Sequence, residues 1–327
     1  MSITPVPTPQ TARPEARPAD RPTKSGVAIG LVTVAALVVG LVTRGAGVVG
    51  IAVLFLVFVP VEKLFALRPM QVLRRGFLSD LTHLLVDNLL ITVGLLATIV
   101  VALIPFFWLR RLDLVGGLPT WASVTIAVLI TLLGQYWAHR ATHQVPLLWR
   151  FHSVHHSIED MDWLASARLH PIDQVFTHGA VVLPLFLLGY SGNVFGGVVV
   201  FFTLLALFQH ANVRLRFPVL RWVINTPEWH HWHHALDLEA INTNFGTPVV
   251  DWLFRTAYMP KGRVPSGFGT AEPIPPVGYA RQLAYPFTRA AKTGRASGRE
   301  ARATARRARA GRRARRAGRG ATASPRG

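Results

Sequence analysis

The 327-residue chain contains no cysteine. This excludes disulfides, cysteine-ligated zinc, thiolate-ligated haem and iron–sulfur clusters, so any electron carrier serving the protein is external or non-thiolate. Charge is also scarce. Only 16% of residues are charged while 50% are hydrophobic, a balance beyond that of an ordinary soluble domain, and the protein is expected to be embedded in a membrane. Acidic residues number 16 against 35 basic ones, but the deficit is local: from Arg281 onward fifteen Lys and Arg face a single acid, Glu300, so +14 of the formal +19 belongs to the tail. The Arg/Ala/Gly run at 299–319 has little to bury and is expected to be disordered. Electrostatic attachment to anionic lipid is its expected role. A nucleic-acid arm is the alternative, but the rest of the chain carries no nucleic-acid-binding motif and no nucleic-acid partner is expected. The Pro-rich N-terminus, 4–23, reads as a flexible extension rather than a cleaved signal, because the first apolar run starts late.

Apolar runs fall at 27–42, 48–61, 85–108, 121–137, 175–188 and 194–208. A helical span needs about 20 mostly apolar residues, so the first two and last two are short enough to be tight hairpins or re-entrant segments. Gly45-Ala-Gly47-Val-Val-Gly50 satisfies the dinucleotide fingerprint, but no strand or βαβ unit surrounds it, and it reads as a turn between membrane helices. Lys and Arg placement orients the chain. Arg13, Arg17, Arg21 and Lys24, then Lys63, Arg68, Arg74 and Arg75, then Arg140, Arg150 and Arg168 alternate with segments carrying only Arg44, Arg110 and Arg111. The N-terminus is therefore expected in the cytoplasm.

Twelve of the thirteen histidines lie between His139 and His234, nine of them in three clusters: His139 and His143; His152, His155 and His156; His230, His231, His233 and His234. At about 3.6 residues per helical turn, HxxxH sets two imidazoles one turn apart on one face, and HxxHH adds a third. Neutral imidazole ligates iron, zinc, copper and nickel, so three such faces enclose a metal site with room for two ions. Each cluster sits just beyond an apolar run, on the cytoplasmic side, where an enzyme acting on a membrane-dissolved substrate would place its metal.

The ordered set His139-Arg140-Ala-Thr-His143, Trp149-Arg150-Phe151-His152-Ser-Val-His155-His156, Arg168-Leu-His170-Pro171, His210-Ala-Asn212 and Thr226-Pro227-Glu-Trp-His230-His-Trp-His233-His234 resembles the fatty acid hydroxylase superfamily, the sterol desaturase group of membrane oxygenases. Asn244-Phe245-Gly246 and Asp251-Trp-Leu-Phe254-Arg-Thr256 continue the likeness. It covers about 74–258. The resemblance implies an all-α integral membrane bundle with a cytoplasmic-side di-metal site. It further implies two non-haem iron ions, dioxygen as co-substrate, a lipid substrate such as a sterol, carotenoid or fatty acyl chain, and an external electron donor, a ferredoxin or b-type cytochrome with its reductase. The activity expected is hydroxylation or desaturation of a lipid C–H bond. The alternative is a membrane zinc-dependent hydrolase or metal-binding protein using the same histidines. A hydrolytic site would place a carboxylate base beside the metal, and no box contains one.

Carried over by position, the ligands implied are His139, His143, His152, His155, His156, His170, His210, His230, His233 and His234, with no catalytic residue beyond them. His170 has a competing role, ending the segment before Pro171. His231, about 100° round the helix from His230, should point away from the metals, as an outer or surface residue. Glu159, Asp160 and Asp162 are candidates for orienting an imidazole, or for a solvated turn. Asp80 matches the family pattern, and His83 and His178 read as packing or hydrogen-bonding residues. Trp137, Trp149, Trp163, Trp229 and Trp232 read mostly as interfacial anchors. Val250 and Arg255 stand where the family usually has tryptophan and glycine. The expected organisation is a Pro-rich extension at 1–25, a membrane hairpin at 26–62, the catalytic domain at 63–260 and a basic tail at 261–327. The expected location is a bacterial-type cell membrane, with the boxes and both termini cytoplasmic.

Overall fold

A computed structural model of the chain describes residues 46–87, 93–94, 97, 100–101, 104–270 and 278–288. The expected extension at 1–25, the first apolar run and the basic run at 299–319 lie outside these residues. Among the described residues the fold is all-α; β-type pairing is limited to isolated bridges, Ala66 with Val213 and Ala235 with Phe268. The chain divides into a unit of 1–54 with 71–73 and a unit of 55–70 with 74–327. In the first, the described residues are 71–73 and the start of α1 (Ala46–Leu64), so Gly47 and Gly50 lie in a helix rather than in the expected turn. The second unit holds every histidine.

Within that unit follow α2 (Phe77–Thr82), which widens into a π turn at His83–Asp87, α3 (Phe107–Arg110), α4 (Thr120–Gln144) and α5 (Pro146–His155). Then come α6 (Pro171–Leu187), α7 (Gly192–His210), α8 (Pro227–His233), α9 (Pro248–Leu253) and α10 (Tyr279–Ala284). α5, α6, α8 and α9 each start on a proline, whose fixed φ suits the first helical position and whose missing N–H costs nothing there. α4 is long and apolar enough to cross a membrane; at about 1.5 Å per residue its 25 residues extend about 37 Å. Pro146 ends it by disfavouring helical geometry at Val145, which is extended.

α4 and α6 pack through a core of Val115, Ala127, Val181, Leu185 and Tyr190. Gly134 makes the approach possible: a Cβ there would lie 2.8 Å from the Ala180 carbonyl oxygen. A tight turn through Gly189, at φ +101°, joins α6 to α7, as expected for the pair of runs around it. The outer sides of α4 and α7 expose large apolar residues, among them Trp121, Val124, Val128, Val200, Phe201 and Leu204.

The boundary expected at residue 260 falls too early. Phe268 and Tyr285 are buried. Gln282 accepts from Ser79 Oγ at 2.6 Å and contacts His83 Nε2 at 2.9 Å, and Tyr279 donates to Asp87 at 2.8 Å. The segment 278–288 therefore belongs to the packed unit rather than to a disordered tail.

Candidate metal centre

Four helices deliver nine imidazoles to one place. α4 ends with His139 and His143, α5 and the residue after it carry His152, His155 and His156, α7 ends at His210, and α8 with its successor carries His230, His233 and His234. Their ring nitrogens form two groups, each with all its ligand atoms within 4.8 Å of one another: His139, His143, His152, His156 and His233; and His155, His210, His230 and His234. Neighbours in sequence are split between them. An i, i+4 pair shares a helix face, so His152 and His156 stay together in the first group while His155 turns into the second. The third box does the reverse, with His230 and His234 in the second group and His233 in the first.

The hydrogen bonds establish which nitrogen is free. Carbonyl oxygens only accept, so contact with one identifies a protonated Nδ1. His139 donates to Phe245 O at 2.7 Å, His233 to Thr243 O at 2.8 Å, His155 to Arg168 O at 3.2 Å and His210 to Ala206 O at 2.6 Å. A neutral ring then carries its lone pair on Nε2. Yet Nε2 of His155 and Nε2 of His210 stand 3.1 Å apart. His139 and His152 approach Nε2 to Nε2 at 3.1 Å, as do His143 and His233, and His156 and His233. Where Nδ1 donates on both rings, as for His155 with His210 and His139 with His152, the lone pairs aimed at one another at this distance repel; a shared cation turns the same geometry into coordination. The donor set therefore fits a metal at each group, and imidazole suits iron, zinc or copper. Burial, reinforced by neighbouring histidines, holds His155, His156, His230 and His234 well below the usual histidine range. Burial brings His233 down to about 3. All five are thus neutral near pH 7, the form in which an imidazole can ligate a metal.

Behind the nine histidines lies a second set of groups, most of which sequence reasoning missed. Asp173, in the first turn of α6, accepts from His152 Nδ1 at 2.9 Å with both groups buried. Asp251, fully buried, accepts from the N–H groups of Phe245 and Gly246 at 2.9 Å each and from Thr256 Oγ1 at 2.6 Å. It thereby sets the strand of backbone whose carbonyls, Thr243 and Phe245, hold His233 and His139. Burial raises Asp251 to about 6, against the pull of these donors, so it is ionised at neutral pH. Asn242, Asn244 and Arg255 around it all take left-handed φ, 58°, 56° and 59°. Asp80 binds Arg168 through two bonds at 2.6 and 2.9 Å, and Arg74 joins Asp80 to Asp162. This buried quartet fixes the segment whose Arg168 carbonyl orients His155. The i+4 spacing could have flagged none of these partners; only Asp80 and Asp162 were candidates, and both act through arginine.

The other candidates fall elsewhere. His170 joins neither group. Its Nδ1 accepts from Ile172 N–H at 3.1 Å, capping α6, and its Nε2 donates to Leu283 O at 3.2 Å, so both ring nitrogens are committed and none is left for a metal. His231 points away from both groups as expected, but it is buried against Phe268 rather than on the surface. His83 is buried and bonded to Asp87 at 2.6 Å; His178 also joins neither group. Trp163, Trp229 and Trp232 are buried and cannot be interfacial anchors, whereas Trp108, Trp121, Trp137, Trp222 and Trp252 are the exposed tryptophans.

Among the described residues the domain is all-α, and its spaced histidines build two adjoining imidazole groups, each able to hold a metal ion. Residues 124–256, which contain all nine grouped histidines, match the fatty acid hydroxylase family. It is 34% identical over 172 residues to the ornithine lipid hydroxylase OlsE of Rhizobium tropici, covering 52% of each chain. It is 30% identical over 133 residues to the alkylglycerol monooxygenase of Homo sapiens, covering 41% of this chain and 29% of that one. A very-long-chain aldehyde decarbonylase, GL1-7 of Oryza sativa subsp. japonica, is 29% identical over 196 residues, 53% of this chain and 29% of that one. The chain thus spans about half the length of the first of these relatives and under a third of the others. No solved structure matches it.

Proposed function

We propose that the nine histidines hold two iron ions and that the protein is a membrane-embedded hydroxylase of lipid C–H bonds. The observation that carries the reading is the convergence of imidazoles alone into both groups: among the described residues neither group includes a carboxylate. A hydrolytic zinc site would place one beside the metal, whereas neutral nitrogen donors suit iron. The relatives named hydroxylase and monooxygenase support the reaction class.

Bound iron supplies the activation of dioxygen, with two electrons from an external ferredoxin or b-type cytochrome: one oxygen atom enters the C–H bond and the other leaves as water with two protons. The protein's own groups do the rest. The Phe245, Thr243, Arg168 and Ala206 carbonyls and Asp173 hold their rings so that Nε2 faces inward. Burial excludes water from the oxidant. α4 is read as spanning the membrane, its exposed apolar side toward lipid, with the boxes at its cytoplasmic end. The substrate class proposed is a lipid whose long chain reaches the histidines from the bilayer, in the manner suggested by the amino-acid- and glycerol-based lipids of the relatives' names.

The test is isotopic. Iron-loaded protein in proteoliposomes, given a chemical reductant, a ferredoxin and 18O2, should place a single 18O atom in lipid, detected as a mass shift in the extract. Lipid that stays unlabelled while the metal centres are reduced and reoxidised would overturn the proposal.

A further inference from the structure

One exposed apolar face outside α4 and α7 is made by two segments distant in sequence. The turn at 219–223 presents Val219, 74% exposed, and Trp222, 40% exposed; α9 presents Val249, Trp252 and Leu253, at 54%, 51% and 69%. The Trp222 and Trp252 rings lie 5.1 Å apart. α9 is two-sided: Val250 and Asp251 face inward to the site, and the other three face out. Bulky apolar surface contiguous on this scale marks a contact with something other than water.

Two observations identify the contact. The first is continuity. Phe254, at the end of α9, stacks on Tyr136 at 4.8 Å and meets Trp137 at 4.9 Å. Trp137 is itself half-exposed and closes the apolar run of α4, with Arg140 5.2 Å from its ring. The outer face of α9 thus continues from the polar end of the helix read as spanning the membrane. The second is charge. Arg214, Arg216 and Arg255 are exposed beside the two segments, while the nearby Glu228 is paired with Arg221 at 3.3 Å. Indole rings at the border, aliphatic side chains among them and exposed cations around the rim are the composition of a surface lying in an anionic headgroup layer.

We infer that the face formed by 219–223 and α9 is seated in the headgroup region of an anionic bilayer, holding the third histidine box, which starts at the adjoining Pro227, against the membrane surface. This rests on reading α4 as membrane-spanning, and the test separates the two. Because the chain lacks cysteine, Val128→Cys, Val219→Cys, Leu253→Cys and Lys261→Cys each give one spin-label site. The full chain in phosphatidylglycerol vesicles is then probed by collision with oxygen, which favours lipid, and with a water-soluble nickel chelate. Labels at 219 and 253 should show an oxygen-to-nickel ratio several-fold above that at 261 and below that at 128. Arg214→Gln with Arg216→Gln should lower the ratio at 219 in phosphatidylglycerol but not in phosphatidylcholine. Labels at 219 and 253 as wet as 261, with 128 in lipid, overturn the inference alone. A wet label at 128 overturns the membrane reading with it, and indifference to the arginine substitutions in both lipids overturns the assignment to anionic headgroups.

Discussion

His152 donates from Nδ1 to Asp173 Oδ2 at 2.9 Å, and both side chains are buried. This pairing sets the ring so that Nε2 faces the first histidine group, and it makes His152 a stronger donor than an imidazole backed by a carbonyl. Asp173→Asn keeps the shape but removes the charge. The expected result is metal affinity at the first group reduced by about 10- to 100-fold, with the helical circular dichroism signal retained. Unchanged affinity in a chelator competition would show that Asp173 merely caps the start of α6.

Arg255 occupies φ 59°, a left-handed conformation costing a residue with a Cβ about 1–2 kcal/mol. Glycine takes it freely but loses about 0.5–1 kcal/mol to its more mobile unfolded chain. The relief exceeds the loss, so Arg255→Gly should raise stability by about 0.5–1 kcal/mol, seen as a higher thermal midpoint in detergent. The turn keeps its shape without the usual glycine because Asp251 accepts from Thr256 Oγ1 and from the Phe245 N–H.

Gly134 and Gly179 lie on facing helices and should respond oppositely to alanine. At Gly134 the new Cβ meets the backbone oxygen of Ala180 at 2.8 Å, whereas at Gly179 nothing lies within 4 Å. Overpacking against backbone costs about 1–3 kcal/mol, more than the roughly 1 kcal/mol gained in helix propensity. Gly134→Ala should therefore lower the thermal midpoint and Gly179→Ala should hold or raise it.

Acid should unfold the chelator-treated protein early. His155, His156, His230, His233 and His234 have folded-state values below the ordinary 6.5, His233 down to about 3. Below about pH 6.5 the unfolded chain takes up protons that the folded chain refuses, so stability falls as pH falls, by up to about 1.4 kcal/mol per pH unit for each such group. The decline from His233 ends only near its folded value. Denaturant midpoints measured at pH 8, 6 and 5 should drop across the last two; a flat series would contradict the burial of neutral rings.

The histidine boxes were legible because one physical rule, 3.6 residues per turn, converts spacing into a shared face. That rule anticipates that His152 joins His156 and that His231 turns away. It says nothing about His210, whose place depends on how α7 ends beside α5, nor about Asp173 or the carbonyls of Thr243 and Phe245, which arrive from distant segments. His170 misled because a histidine before proline serves equally as a helix cap, and that role consumed both ring nitrogens. Tryptophans misled for a similar reason. Proximity in sequence to a box placed Trp229 and Trp232 in the interior, while the exposed pair Trp222 and Trp252 comes together only through folding.

On the proposed function, adjacent histidines serve different ions. His155 and His156 are neighbours in sequence, yet they belong to different groups. Iron content with Mössbauer spectroscopy on the purified protein, on His155→Ala and on His156→Ala, tests this directly. The expected result is two irons per chain with a coupled ferric signature, and in each variant the loss of that coupling with about one iron retained. Two irons unaffected by either substitution, or stoichiometric zinc after iron-replete expression with no iron-dependent oxygen uptake, would contradict it.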